Sequence, residues 1–97
     1  MGYSCTADAM DTLGQLNEKI KARFKTSNMF TINGVNYFYE IGREQPSGAI
    51  TGSLWKTHGD MMADKQPAYR AGTFKINADG TWARKPIPMK KMLEMRV

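Results

Sequence analysis

The chain has 97 residues, enough for one domain and too few for two. It is 41% hydrophobic and 24% charged, the balance of a soluble globular chain that buries roughly two-thirds of its unfolded surface without metal or disulfide staples. Fourteen Lys and Arg against nine Asp and Glu give a net charge of +5, which favours polyanionic partners, while the single cysteine, Cys5, excludes an intramolecular disulfide.

No apolar run approaches the ~20 residues needed to cross a bilayer. The opening "MGYSCTADAM" has neither the basic start nor the apolar stretch of a signal peptide. Gly2 followed by Cys5 and Thr6 is a poor match to the myristoylation pattern. A cytoplasmic protein with no membrane partner is the expectation.

Ala9, Leu13, Leu16, Ile20 and Phe24 recur at three- and four-residue steps, which predicts a helix over Ala7 to Phe24 with one apolar stripe. Thr6 is its expected N-cap. Asp8 and Asp11 near the start, and Lys19, Lys21, Arg23 and Lys25 near the end, suit the helix dipole. Gly14 weakens the helix relative to alanine and is read as a mark of close backbone approach.

After Ser27 the period becomes alternating. Asn33-Gly34 is the sequence signature of a type I′ turn, whose two central residues both need positive φ. A two-residue loop pairs Ile32 with Val35, Phe30 with Tyr37, and Asn28 with Tyr39 on one face, the expected core face, to which Ile41 also belongs. Thr31 then meets Asn36, and Met29 meets Phe38, on the other. Phe38 should therefore point away from the helix-covered side.

A turn in "GREQPSG" leads to a third strand, "AITGSLWK", with Ile50 and Leu54 on one face and Thr51, Ser53 and Trp55 on the other. Thr57 to Ala68, "THGDMMADKQPA", has no periodicity and reads as a long loop. "YRAGTFKINADGTWARKP" predicts a second hairpin around Asn77-Ala78-Asp79-Gly80-Thr81, a type I turn closed by a left-handed glycine. That register sets Ile76 opposite Trp82, a core residue, and Phe74 opposite Arg84; Trp55 is the outward tryptophan. "PIPMKKMLEMRV" ends in a short helix opened by Pro88, with Met89, Met92, Leu93 and Arg96 on one face. The fold class is α+β: an N-terminal helix on a four- or five-stranded antiparallel sheet built from two hairpins, then a short C-terminal helix.

The sequence offers little for catalysis. It has one histidine, His58, and neither a GxSxG nor an HExxH pattern. His58, Asp60 and Asp64 share a loop but lack the further ligands a metal site needs, so no metal or cofactor is expected. Glu40 and Glu44 as an acid–base pair are the ordinary glutamates of a strand and its turn. The glycines of "GAITGS" serve backbone geometry, without a lysine-terminated phosphate loop. A non-enzymatic binding protein is expected.

Aromatics interleaved with cations on an open sheet face form a surface on which bases stack while Lys and Arg hold phosphates. Phe38 and Trp55 are the expected platforms. Tyr69 and Lys75, read as sharing a face of the fourth strand, together with Arg84, Lys85, Lys90 and Lys91, are the expected nucleic-acid contacts. The alternative is a protein-interaction or inhibitor module. Eight methionines suit an adaptable surface; some of them must fill the core, and an exposed Met-rich tail or an edge strand such as the third could equally form a homodimer. A small basic domain of this kind suits a phage or mobile element.

The element order, with "GQLNEKIK" in the first helix and "PMKKMLEM" opening the last, is similar to that of the double-stranded-RNA-binding domain. In that family a lysine-rich helix start sits on phosphates. This chain departs from it in having two hairpins and a long loop where the family has three strands, and in lacking a glycine-rich approach to the last helix. No residue role carries over.

Overall fold

Helix α1 runs over Ala7–Phe24, as its stripe predicts, in a computed structural model that describes residues 5–57 and 68–95 and, at Arg43 and Glu44, the backbone alone. Thr6 caps it, its side chain accepting from the Ala9 N–H at 3.2 Å. The helix closes on Lys25 in the left-handed region, whose N–H donates to the Lys21 carbonyl. Gly14 departs from expectation: the space a side chain would enter there is open, so it marks no close approach.

Five strands follow: β1 (Met29–Ile32), β2 (Val35–Glu44), β3 (Ile50–Thr57), β4 (Tyr69–Ile76) and β5 (Trp82–Arg84). They form one antiparallel sheet in the order β1-β2-β3-β4-β5. The edge strands are the two shortest, which limits the backbone offered for unwanted pairing. β3 lies at the centre, so the expectation that it could be a dimerising edge is corrected. The expected loop from Thr57 to Ala68 lies, apart from those two residues, outside the described residues, as do His58, Asp60, Asp64, Met61 and Met62.

The first hairpin has the expected register: Met29 opposite Phe38, Phe30 opposite Tyr37, Thr31 opposite Asn36 and Ile32 opposite Val35. Asn33 and Gly34 have φ of 50° and 79°, as a type I′ turn requires. β2 continues past Gly42 to Glu44, so the next turn is shorter than "GREQPSG" suggests. It and the Asn77–Thr81 turn are built alike. In each a glycine in the left-handed region, Gly48 or Gly80, donates to the carbonyl three residues back, Gln45 or Asn77.

Helix α2 (Ile87–Glu94) starts with Pro88 in its first turn and packs against α1 and β1. One core unites Leu16, Ile20, Phe30, Ile50, Leu54, Phe74, Ile76, Met89 and Met92, all essentially inaccessible. Phe24, Tyr37, Trp82 and Leu93 pack around it, half-buried. Both helices therefore cover the same face of the sheet. Two methionines of the C-terminal segment are core filling rather than an exposed adhesive, and Arg96 lies outside the described residues. Ile41 contradicts its core assignment at 43% exposure. It lies opposite Gly52, which offers no side chain, and the β2–β3 register breaks immediately after it. No described helix is long and apolar enough to cross a membrane.

Leu16→Ala should lower the unfolding free energy by about 2–5 kcal/mol in urea titration; a loss below about half a kcal/mol would remove Leu16 from the core. Tyr39 gives a second test. Burial pushes its phenol above the ordinary value of 10.0, and its hydroxyl donates to the Asn17 side-chain oxygen. A raised folded pKa means its stabilisation is complete below about pH 10 and is lost as pH rises through the folded value. The stability gap between wild type and Tyr39→Phe should narrow above about pH 10 and hold constant below it.

Candidate functional site

Residues directly opposite in an antiparallel pair project to the same face, so the registers map the face that carries no helix among the described residues, the helix-free face. Met29 pairs with Phe38, Phe38 with Trp55, and Trp55 with Arg70. These four side chains form a continuous row across four strands, about 14 Å long at the usual strand spacing. The Phe38 and Trp55 rings lie near parallel, 14° apart, with centroids 6.5 Å from each other. The Arg70 guanidinium carbon stands 5.2 Å from the Trp55 ring centroid. Phe38 thus points away from α1, as the turn register predicts.

A second row runs Glu40, Ser53, Thr73, and a third runs Thr51, Lys75, Arg84. Arg84 links them by donating from Nη1 to the Thr73 hydroxyl at 2.7 Å. Glu40, Arg70 and Arg84 are exposed, and Phe38, Trp55 and Lys75 are half-buried. Toward the first turn, the Thr31 hydroxyl donates to the Asn36 side-chain oxygen at 2.7 Å. The face is chemically asymmetric. Its described cations stand on β4 and β5, its aromatics on β2 and β3.

Two register shifts place the cations. Between Leu54 and Trp55 the β3–β4 pairing skips Ala71, so Leu54 meets Gly72 while Trp55 meets Arg70. Simple alternation from Lys75 would put Tyr69 on the helix-free face; the bulge reverses this. Tyr69 pairs with Lys56, itself opposite Tyr37, on the helix-covered side, where it is 53% exposed. The expectation that Tyr69 and Lys75 share a face is corrected, and Arg70 takes the place expected of Tyr69. Gly72, a glycine inside a strand, was the available signal for a bulge.

In the same way β4–β5 pairing skips Ala83. Ile76 faces Trp82 as expected, but Arg84 meets Lys75 rather than Phe74 and so joins the helix-free face. Trp82 turns inward against Phe74, their centroids 6.2 Å apart, with the Lys85 ammonium 5.8 Å from its ring centroid. Lys90 and Lys91 are exposed on α2, in the helix layer. Of the eight expected contacts, the fold gathers Phe38, Trp55, Lys75 and Arg84 on one face. Tyr69, Lys85, Lys90 and Lys91 lie elsewhere.

No family model, curated protein or solved structure matches the chain.

Because its ring lies on the helix-free face, Phe38→Ala should cost about 1 kcal/mol or less of unfolding free energy. Phe30→Ala, one strand away but 1% exposed, should cost about 3–5 kcal/mol. Urea unfolding of the two variants makes the comparison; equal losses would mean that the Phe38 face is packed as tightly as the core.

Proposed function

We propose that the protein binds single-stranded nucleic acid on the helix-free face of its sheet. The reading is carried by one observation: the Phe38–Trp55–Arg70 row with Lys75 and Arg84 beside it on the same face. Every base has a π-face that stacks on an aromatic ring, and unpaired bases can spread onto such a surface. Arg70, Lys75 and Arg84 supply charge for phosphates along the β4–β5 side, and the net charge of +5 steers a polyanion toward the protein. Arg84 spends one of its five N–H donors on Thr73, which holds the guanidinium over the face and leaves the others for phosphate oxygens. A duplex fits this chemistry less well, since its bases are already stacked on one another and shield their faces from the two rings.

Binding on this face needs no catalytic group, and the protein acts as a binding module. Lys90 and Lys91 stand in the opposite layer and serve as an internal control: a face-specific ligand should be nearly indifferent to their removal.

The test is fluorescence anisotropy with labelled single- and double-stranded oligonucleotides, RNA and DNA, across a salt series. Single strands should bind at about 50 mM salt and weaken steeply as salt rises. Phe38→Ala and Trp55→Ala should each cost about 1–3 kcal/mol of binding, while Lys90→Ala with Lys91→Ala leaves affinity within about twofold. Absence of any binding at about 50 mM salt would end the proposal. Loss of a dimer in Phe38→Ala, read by light scattering, would reassign the face to self-association.

A further inference from the structure

Glu40 is out of place on a surface meant for a polyanion. Among the described side chains of the helix-free face it is the one carboxylate, exposed and without an ion-pair partner among the described residues. It stands on β2, two residues from Phe38 on the same face and diagonal to Trp55, whose cross-strand partner is Phe38. The cations stand on the far side, on β4 and β5, two and three strand spacings or about 10 and 14 Å away. We infer that Glu40 reads the base: it accepts hydrogen bonds from the outer edge of a nucleobase stacked at Phe38 and Trp55, and so selects guanine. This rests on the single-strand reading of the same face.

The layout supports it. A nucleotide held by its phosphate at β4–β5 lays its base across β3, and the base's Watson–Crick edge then points toward β2, where Glu40 is. An ionised carboxylate only accepts hydrogen bonds, through two oxygens side by side. Guanine presents two adjacent N–H donors, N1–H and N2–H₂, which match those oxygens in pairs. Cytosine and adenine offer one amine each, and uracil or thymine sets two carbonyl oxygens about a single N–H, so a carboxylate is repelled there. Unpaired bases leave this edge free. The Ser53 hydroxyl, directly opposite Glu40, adds a group that both donates and accepts. The same carboxylate also repels phosphate, so a strand placed the wrong way across the face is disfavoured.

Anisotropy with labelled strands of about eight nucleotides tests this, comparing alternating guanosine–uridine with uridine alone, and their DNA counterparts to separate the two sources of the base. Wild type should prefer the guanine-containing strand by at least about fivefold, the lower end for a paired base contact. Glu40→Gln, whose amide also donates and therefore accepts uracil, should reduce that ratio to less than about twofold. It should also bind the uridine strand more tightly, because a negative charge is gone, with the unfolding midpoint unchanged. Equal binding of both strands by wild type, or a ratio that survives Glu40→Gln, would overturn this inference while leaving the single-strand reading standing. Failure to bind any strand would remove both.

Discussion

The two-residue turn at Asn33-Gly34 is the constraint on which the faces of the sheet depend. Both residues hold positive φ, and a loop of that length admits one register for β1 against β2. Because strand side chains alternate, that register decides at once that Phe30, Ile32 and Tyr39 enter the core and that Met29 and Phe38 leave it. β3 then inherits the choice through Tyr39–Leu54 inside and Phe38–Trp55 outside. A slip of one residue would turn Phe30 and Ile32 to water. The burial of two large apolar side chains thus holds the aromatic row in place, although neither belongs to it.

The second constraint is how α1 is fastened. Its start meets the tips of both later hairpins. The Thr6 N–H donates to the Gly48 carbonyl at 3.1 Å, and the Thr6 hydroxyl donates to the Ala78 carbonyl. Six residues on, the Thr12 hydroxyl donates to the Gly80 carbonyl at 2.6 Å. Gly48 and Gly80 are both in the left-handed region, and a Cβ at either would meet the helix, 2.6 Å from the Thr6 methyl or 2.9 Å from the Asp8 carbonyl oxygen. Glycine here permits the turn and the contact together. At the other end, Lys19 donates to the Leu93 carbonyl and ties α1 to α2. With the helices joined to each other and to the hairpin tips, both are committed to one face, and among the described residues the opposite face carries no helix.

How much of this was legible in the sequence follows from the range of each signal. The α1 stripe, its Thr6 cap, the register of the first hairpin, the Asn77–Thr81 turn and the outward turn of Phe38 and Trp55 are local patterns, and all appear in the fold. The register shifts at Ala71 and Ala83 are not local: each strand alternates acceptably without a bulge, and only pairing with its neighbour shows the extra residue. Plain alternation therefore puts Tyr69 on the wrong face, gives no reason to include Arg70, and sets Arg84 opposite Phe74. The position of β3 in the sheet, the exposure of Ile41 and the burial of Met89 and Met92 depend on the layer as a whole. Lys90 and Lys91 looked close to the site because they are close in sequence; α2 carries them beneath the sheet.

The bulges also set an energetic competition on the face. In the free protein the Arg70 guanidinium rests by the Trp55 ring, an exposed cation–π contact that contributes about 0.5–1 kcal/mol. A base stacked on the same ring contributes about 1–3 kcal/mol. On the proposed reading a base would displace the guanidinium from the ring, and Arg70 would remain useful, because a guanidinium is itself a flat surface on which a base can stack and its N–H groups are suited to phosphate. Until then the arginine shields an aromatic side chain that would otherwise present bare apolar surface to water. Without the Ala71 bulge, pairing continued from Leu54–Gly72 would set Ala71 opposite Trp55 and turn Arg70 to the helix-covered side. The single extra residue in β4 thus sets a cation, rather than a methyl group, at the end of the aromatic row.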